Sequence, residues 1–424
     1  MPELHELNVR EAAAGIAGGT FTSQALTEAC LARIAAREPD VQAFIHLDPD
    51  AALAQAKARD AEPPRGPLHG VPVGLKDIID TADMPTGYGS PIYDGHQPKS
   101  DAAVTAFLRA AGAVIVGKTV TTEFAGPHPG KTRNPHNPAH TPGGSSSGSA
   151  AAVGAGMVPL AFGSQTAGSV IRPASFCGAV GYKSTFGQLP TVGMKVLAST
   201  MDTLGTFTRA VADIATVRAA LIGAPADVAE LSGPPRIALC HTPMWDQADG
   251  DSQTALESAG KALADAGAEV TVFELPASFD GLVEAHLVAM RFEVRNAFGW
   301  ELDNHRDKLS DDFMAMIDGA GTAAAYTDLL KASEHRAEAA QMLPVIFNRF
   351  DAMLVPSAPG EAPKKLDFTG DAIMNRIWSY LGVPCVSLPF ATGGNGLPVG
   401  VQLVGAQGDD EKVLSVAAWA EARL

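Results

Sequence analysis

The chain has 424 residues, of which 46% are hydrophobic and 18% are charged, and its formal net charge is −16. This is the composition of a globular protein with enough apolar material for a large core. The negative charge argues against nucleic acid or an anionic membrane surface as the main partner, because both require a basic footprint on the protein.

The first 60 residues are predicted to be helical. The segment FTSQALTEACLARIAARE offers Thr22 or Ser23 as a helix cap, and Leu26, Cys30 and Ile34 then recur four apart on one face. The N-terminus lacks a basic stretch followed by an apolar run, so we expect no signal peptide, and no segment reaches the ~20 apolar residues of a membrane span. Four scattered cysteines without a CxxC pair favour a reducing cytoplasm.

The rest of the chain alternates strand-like and helix-like segments. VPVGL (71–75) predicts a buried strand, SDAAVTAFLRAAG (100–112) a capped helix that ends at glycine, and AVIVGK (113–118) a further strand. The alternation returns in the second half of the chain, which ends in a helix from about Asp409. This order predicts an α/β protein with a single large domain and strands buried on both faces. We expect the helix-rich stretch 275–345 to cover the substrate side.

Residues 141–156, TPGGSSSGSAAAVGAG, are compatible with three functions that require different neighbours. A flexible linker would have loop-like flanks, whereas an apolar, small-residue segment follows directly here. A phosphate-binding loop needs its lysine directly after a glycine, and GYKST (181–185) has an intervening tyrosine. These patterns disfavour both a linker and a nucleotide site.

The same stretch also matches GxSxG, the nucleophile-elbow pattern of α/β-hydrolases, with Ser146 at its centre. That pattern requires a strand immediately before it, but the preceding NPHNPAHTPGG contains three prolines, which disfavour a central strand. Such an enzyme also needs a downstream histidine, and His286, His305 and His335 are available without a recognisable motif around them. Ser146 therefore stays an alternative nucleophile.

Three sequence blocks in a fixed order are more specific. GPLHGVPVGLKDIID (66–80) carries a lysine, the glycine–serine stretch follows it, and GSQTAGSVIRPASFCGAVGYKST (163–185) carries a second serine. In this order and spacing the blocks resemble the amidase signature family, and pieces such as MDTLGTFTRAVAD (201–213) extend the resemblance over most of the chain. The resemblance implies one domain over residues 1–424, with a large mixed β-sheet covered by helices and a catalytic core at 66–210.

The resemblance implies a Ser-Ser-Lys triad in which Ser169 is the nucleophile, Ser145 the bridging serine and Lys76 the base. A serine hydroxyl is a poor nucleophile until a neighbour takes its proton. A lysine can take that proton only when it is neutral, so its pKa must fall from about 10.4 toward ~7–8, which burial can achieve. Lys76 follows VPVGL, where a buried strand would end, and that position suits desolvation.

Neighbouring residues have supporting roles by the same resemblance. The oxyanion hole would consist of the backbone N–H groups of Thr166, Ala167, Gly168 and Ser169. Support for the triad would come from Gly144, Ser146, Gln165 and Arg172. One wall of the acyl pocket would come from Glu123, Phe124, Ala125 and Gly126.

Two positions depart from the family pattern. Many members carry Asp in the place of Gln165 and a second glycine in the place of Ala167, and Arg172 lies one residue later than the commoner arginine. We interpret Gln165 and Arg172 as one linked change in the contacts that support the triad. This change is expected to distance the chain from the glutamine-dependent tRNA amidotransferase subunit.

Other reactive side chains have simpler interpretations. His128, His136 and His140 lie close together, but intervening prolines prevent the helix that would bring the last two onto one face, so we expect loop histidines and no metal site. Cys177 has no histidine or basic residue close by to lower its pKa, and buried packing is favoured over a role as nucleophile.

The sequence thus predicts a cytoplasmic serine hydrolase that cleaves small, uncharged amides through an acyl-enzyme, with no metal or cofactor. Esters and carbamates are expected as additional substrates. Neither nucleic acid nor a membrane is expected as a partner, and an amphipathic N-terminal helix pair would suit a homodimer. Two alternatives stay open, an α/β-hydrolase-type esterase that uses Ser146 and an amidotransferase-like subunit that works only beside partner chains.

Overall fold

Eleven strands form one continuous mixed sheet in the computed structural model, which describes residues 3–319 and 325–424. Along the chain they are β1 (Phe44–Leu47), β2 (Pro72–Lys76), β3 (Val114–Thr119), β4 (Leu160–Gln165), β5 (Val180–Lys183), β6 (Thr203–Thr208), β7 (Arg236–Cys240), β8 (Glu269–Phe273), β9 (Ala352–Pro356), β10 (Cys385–Thr392) and β11 (Pro398–Val404). Their order across the sheet is β1-β3-β2-β4-β6-β5-β10-β11-β9-β7-β8.

The sheet combines parallel and antiparallel pairs. Strand β2 runs parallel to β3 and β4, β7 runs parallel to β8 and β9, and the other neighbouring pairs are antiparallel. Interior strands such as β2 (PVGLK) and β9 (AMLVP) are buried along their whole length, as expected of strands covered on both faces. Because β2 lies between β3 and β4, its last residue, Lys76, lies in the core.

Helices cover the sheet. They are α1 (Val9–Ala17), α2 (Ser23–Val41), α3 (Pro49–Asp60), α4 (Ala103–Ala110), α5 (Ser147–Gly154), α6 (Ile171–Cys177), α7 (Val211–Ile222), α8 (Gly250–Asp265), α9 (Leu282–Ala297), α10 (Gly299–Asn304), α11 (Asp311–Asp318), α12 (Tyr326–Arg349), α13 (Arg376–Tyr380) and α14 (Asp410–Glu421). The short helices α5 and α6 are buried on nearly all sides and pack on each other. Each begins two residues after a candidate serine, α5 after Ser145 and α6 after Ser169, so their packing brings the two serine-bearing blocks together.

The predicted fold class, a single large domain with a mixed sheet covered by helices, is confirmed. The strands predicted at 71–75 and 113–118 are β2 and β3, and the last helix is α14. Thr22 caps α2, because its hydroxyl accepts a hydrogen bond from the Ala25 N–H group. Among the helices of the described ranges, none has both the length and the apolar composition needed to span a membrane.

Three local expectations were wrong. The segment 1–60 is not wholly helical, since it contains β1, which is too short to show a strand period and pairs with β3 at the sheet edge. Strand β8 is largely exposed because it forms the opposite edge of the sheet. Helix α4 has no side-chain cap, because Asp101 instead accepts a hydrogen bond from the Ala82 N–H group and pairs with Arg109.

Close packing of α5 on the sheet generates the first prediction. A Cβ atom added to Gly148 would clash with the carbonyl oxygen of Ala43 and the amide nitrogen of Val120, which are backbone atoms with little freedom to move. We expect Gly148→Ala to lower the free energy of unfolding in urea by about 1–3 kcal/mol, as overpacking typically does. Gly233→Ala, at a site with open space around it, is the control and should change little. Equal stability of the two variants would contradict this packing.

Candidate active site

A buried lysine occupies the end of the interior strand β2. The Lys76 Nζ atom donates hydrogen bonds to Ser145 Oγ at 2.7 Å and to Ser164 Oγ at 2.9 Å, and the side chain has no exposed surface. Burial lowers the pKa of Lys76 to about 7, while the negative charge of Asp202 acts in the opposite direction. With a pKa near 7, the amine is about half neutral at pH 7, and the lone pair of the neutral form can accept first the hydrogen bond and then the proton of the Ser145 hydroxyl.

Ser145 is held from both sides by backbone contacts. The peptide bond between Gly144 and Ser145 is cis, and the Arg172 guanidinium donates a hydrogen bond to the Gly144 carbonyl oxygen at 2.6 Å. On the other side, the Thr122 N–H group donates to the Ser145 carbonyl oxygen at 3.2 Å. With its backbone fixed in this way, Ser145 lines a cavity while its hydroxyl stays bonded to Lys76.

The loop after β4 presents unpaired backbone N–H groups. The side-chain oxygen of Gln165 accepts hydrogen bonds from the N–H groups of Val170 and Ile171 at 2.8 and 3.0 Å. The N–H groups of residues 166–169 form no hydrogen bond with any residue of the ranges 3–319 and 325–424. Ser169 is 8% exposed and lines the cavity together with the rest of this loop. The loop can therefore stabilise a negative oxygen next to a serine hydroxyl.

The cavity itself has a volume of about 410 Å³. Ser145 and the loop 166–169 form one side, and apolar side chains from α9 and α11, including Leu287, Met290 and Met316, form another. Apolar walls around a few convergent polar groups are typical of small-molecule sites. The helices of the stretch 275–345 thus contribute a wall to the same cavity.

Buried polar groups that the sequence did not single out hold this loop. Asp202 accepts hydrogen bonds from the Thr166 hydroxyl and from the Leu197 N–H group, and burial raises its pKa to about 6. Ser379 donates to the Ala167 carbonyl oxygen. Asp202 lies within the block 201–213, but a lone aspartate there gives no local signal of its contacts.

His286 is a further buried group next to the loop. Its Nε2 atom lies 3.1 Å from the Thr166 carbonyl oxygen, which can only accept, so Nε2 carries the proton. Burial lowers the pKa of His286 to about 3, which keeps the ring neutral. His286 therefore orients the loop and does not have the hydroxyl contact that a catalytic histidine of an α/β-hydrolase requires.

The contacts of Ser146 disfavour it as a nucleophile. Its hydroxyl donates to the Ser164 carbonyl oxygen and accepts from the Ser164 N–H group, both at 3.2 Å, and the side chain is fully buried. Residues 141–146 are a loop, so the strand that a nucleophile elbow requires is not present before Ser146. Ser146 instead ties the start of α5 to β4.

Only half of the predicted pocket wall at 123–126 lies at the cavity. Ala125 and Gly126 line the cavity. Glu123 and Phe124 do not, contrary to expectation: the Glu123 carboxylate accepts hydrogen bonds from Ser90 and Ser310, and the Phe124 ring packs in a buried aromatic cluster. Phe124 and Ala125 have φ angles of 50° and 60°, and this left-handed turn directs the two halves of the segment apart.

The other reactive side chains have separate partners. His128 pairs with Asp312, while His136 and His140 hydrogen bond to carbonyl oxygens. Within the described ranges, no group of three or more His, Cys, Asp or Glu side chains is arranged to hold a metal ion. Cys177 is buried, and burial raises the pKa of its thiol, which makes a thiolate nucleophile unfavourable.

Known proteins resemble this chain over nearly its full length. Residues 25–414 match the family model described as Amidase. The chain is 34% identical to a glutamyl-tRNA(Gln) amidotransferase subunit of Chloroflexus aurantiacus, over 98% of this chain and 96% of that protein. It is 30% identical to the native peptide amidase of Stenotrophomonas maltophilia, with a TM-score of 0.83 and coverage of 99% and 97%. A structure described as an amidase gives 30% identity and a TM-score of 0.88, with coverage of 99% and 100%.

The expected separation from the amidotransferase subunit is not supported, because that similarity extends over the whole chain. That expectation rested on Gln165 and Arg172, and these two residues have separate contacts. Gln165 binds the N–H groups that follow the loop, and its amide donates to Ser379 Oγ at 3.0 Å. Arg172 binds the Gly144 and Gly370 carbonyl oxygens. Each therefore fixes a different segment of the site.

The lowered pKa of Lys76 predicts a pH-dependent stability. Below about pH 7 the folded state carries the full free-energy cost of burying the ammonium group. This cost falls as the pH rises and is absent above pH 10.5, the ordinary pKa of lysine. Between pH 7.5 and 9.5 the unfolded state binds one more proton than the folded state. The unfolding free energy of the wild type should therefore rise relative to Lys76→Met by about 1.4 kcal/mol per pH unit.

Urea unfolding at several pH values measures this slope. The control is Lys364→Met, which replaces an exposed lysine and should keep the wild-type slope. Parallel profiles for the wild type and Lys76→Met would mean that Lys76 stays charged in the folded protein.

Proposed function

The chain belongs to the amidase signature family, a family of enzymes that cleave C–N bonds, and we propose that it hydrolyses amides through an acyl-enzyme formed on Ser169. The observation that carries this proposal is the 2.7 Å hydrogen bond from buried Lys76 to Ser145, at a cavity that Ser145 shares with Ser169. The unpaired N–H groups of residues 166–169 at that cavity support it.

Acylation begins with proton transfer. Neutral Lys76 accepts the proton of the Ser145 hydroxyl, and Ser145 accepts that of Ser169 as the Ser169 oxygen attacks the amide carbonyl carbon. The carbonyl oxygen becomes negative in the tetrahedral intermediate. Donors fixed before the reaction stabilise this charge without reorganising, which is the role that we assign to the N–H groups of residues 166–169.

Release of the amine reverses the proton path. The Lys76 ammonium returns its proton through Ser145 to the nitrogen of the scissile bond, the C–N bond breaks and the amine leaves. A water molecule then attacks the acyl-enzyme, and its proton follows the same route to Lys76. The ester bond to Ser169 then breaks, Lys76 returns the proton through Ser145 to the Ser169 oxygen, and the carboxylic acid leaves the restored resting enzyme. Esters and carbamates have the same carbonyl geometry, so we expect them to be substrates as well.

The surrounding contacts have a positioning role in this scheme. Gln165 binds the N–H groups that follow the loop, while Asp202, His286 and Ser379 hold the hydroxyl and carbonyl groups of Thr166 and Ala167. These contacts use the carbonyl side of the loop and leave its N–H groups available to the substrate.

A second candidate function is that of an amidotransferase subunit. It is favoured by the 34% identity to a glutamyl-tRNA(Gln) amidotransferase subunit, whose name implies partner subunits. The purified chain, assayed on simple amides without ATP or any partner, distinguishes the two functions. Turnover by the chain alone supports an independent amidase, whether it is a monomer or a homodimer. Turnover only after addition of partner subunits supports the second candidate.

Covalent labelling tests the assignment of the nucleophile. We expect a fluorophosphonate probe to acylate the wild-type protein at Ser169, because this hydroxyl lies beside the N–H groups that would stabilise the adduct. Peptide mapping by mass spectrometry identifies the labelled residue, and Ser169→Ala is the control that should not be labelled. A label on Ser146 would favour an α/β-hydrolase mechanism, and a label on Cys177 would refute both mechanisms.

The proton path predicts different losses for amides and esters. An amine leaves only after protonation, whereas the phenolate of an aryl ester leaves readily without it. Lys76→Ala and Ser145→Ala should therefore lower kcat/KM for an anilide by about 10²–10⁴-fold and that for the matching aryl ester by less. Ser169→Ala should abolish both activities.

The same assay across pH tests the role of Lys76. In the wild type, the rate should rise with pH through an apparent pKa near 7, the value to which burial lowers Lys76. This apparent pKa belongs to the coupled Lys-Ser-Ser system, and the rise should vanish in Lys76→Ala. Equal losses on both substrates would refute the return of the proton through Ser145, and a nearly normal rate in Lys76→Ala would refute the triad.

A further inference from the structure

Two arginines that line the cavity form no ion pair with any residue that the structure describes. Arg291 from α9 and Arg376 at the start of α13 both line it, and both side chains are partly buried. Within the ranges 3–319 and 325–424 neither guanidinium forms an ion pair or a hydrogen bond, and the Nη1 atom of Arg376 is buried without a partner. The residues outside those ranges, Met1, Pro2 and 320–324 (AGTAA), contain no carboxylate that could pair with them.

Arg172, which lines the same cavity, differs from these two arginines because protein groups occupy its guanidinium. Its guanidinium donates to the Gly144 and Gly370 carbonyl oxygens at 2.6 and 2.8 Å and to the Thr369 hydroxyl at 3.3 Å. In the part of the chain that the structure describes, Arg291 and Arg376 have no such contacts, which leaves donors for a ligand. A planar guanidinium offers five N–H donors, which suits bidentate binding of a carboxylate.

The local charge also favours an anion. Burial lowers the pKa of Arg376, the negative charge of Asp371 acts in the opposite direction, and the positive charge of Arg291 lowers the pKa to a smaller extent, which indicates that the two cations repel each other. The two carboxylates at the cavity are exposed, and Asp312 is paired with His128 while Asp371 accepts a hydrogen bond from the Ile373 N–H group. Cations in a partly buried site are stabilised when a ligand supplies the missing negative charge.

We propose that the substrate is a small amide that carries a carboxylate group, and that Arg376 and Arg291 bind this carboxylate. The proposal rests on the proposed function of the site and replaces the expectation of an uncharged substrate. A monoanion is favoured over a phosphate dianion, because Asp312 and Asp371 lie at the same cavity and oppose a second negative charge.

The position of α13 limits the distance between the two groups of the substrate. A Cβ atom added to Gly168 would lie 3.0 Å from Ala372 Cβ and 3.1 Å from Asn375 Nδ2, so the segment leading into α13 packs directly on the loop 166–169. Arg376 follows Asn375 in the chain. This proximity favours, as the compounds to test, amides whose carboxylate is separated from the scissile bond by only a few atoms.

Matched substrates test the proposal. Succinamate and glutaramate carry an amide and a carboxylate, while succinamide and glutaramide replace that carboxylate with a carboxamide of the same shape. We expect the wild-type kcat/KM, per amide group, to be at least tenfold higher for the monoamide acid than for its diamide. In Arg376→Gln this ratio should fall at least tenfold, mainly through KM, and Arg376→Lys should restore part of it.

The control variant is Arg306→Gln, which removes an exposed arginine that pairs with Asp318 and does not line the cavity, and it should keep the wild-type ratio. A wild-type ratio near one, or an unchanged ratio in Arg376→Gln, overturns the proposal.

Calorimetry gives the same comparison without turnover. We expect glutaramate to bind Ser169→Ala, which lacks the nucleophile, at least tenfold more tightly than glutaramide does, and the additional change Arg376→Gln to remove this difference. Equal binding of the two compounds overturns the carboxylate site even if Ser169 is acylated by a fluorophosphonate. Absence of acylation at Ser169 refutes the proposed function separately, since the calorimetric comparison does not depend on the nucleophile.

Discussion

Burial of the Lys76 amine is the constraint on which the rest of the site depends. An ammonium group in an apolar interior costs several kcal/mol unless it is paired or loses its proton, and here its partners are the neutral hydroxyls of Ser145 and Ser164. The low pKa is thus a consequence of the fold, since β2 lies between two parallel strands and under the buried helix α5. The same burial that lowers stability near neutral pH makes the lysine a base there.

The loop that faces Lys76 is held by residues that are distant in the chain. Ser379 binds the Ala167 carbonyl oxygen, and Arg172 links the Gly144 carbonyl oxygen to Gly370. Segments near residues 144, 168 and 375 therefore meet around one cavity, although more than 200 residues separate the first from the last. Such a site requires one domain, because a chain divided into independent halves would leave the loop without its anchors. A substitution at Ser379 or Gly370 would act on the reaction through geometry, without contact with the reacting atoms.

The sequence predicted the parts of this arrangement that leave a local pattern. VPVGL identified β2, and Ser145 and Ser169 belong to blocks whose order and spacing are specific. Ser164, Asp202 and Ser379 could not be predicted, because the identity of a single polar residue does not indicate a partner that lies 36 to 212 positions away in the chain. The prediction that the whole segment 123–126 lines the pocket was wrong for Glu123 and Phe124 for a different reason. The left-handed turn at Phe124 sends adjacent residues to opposite environments, and the identity of those residues does not reveal the turn.

The charge of the cavity is opposite in sign to the net charge of the chain. The chain has a formal net charge of −16, yet its cavity contains two arginines that form no ion pair with any of the described residues. Charges separated by more than about 8 Å are largely screened at physiological salt, so a bound carboxylate would experience Arg291 and Arg376 much more strongly than the distant surface acids. An anionic substrate would approach against the repulsion of an acidic surface and then be retained by short, partly desolvated contacts. Its affinity would therefore depend mainly on the geometry of the two guanidinium groups and little on long-range attraction. Such a site distinguishes substrates both by their shape and by the position of their charge.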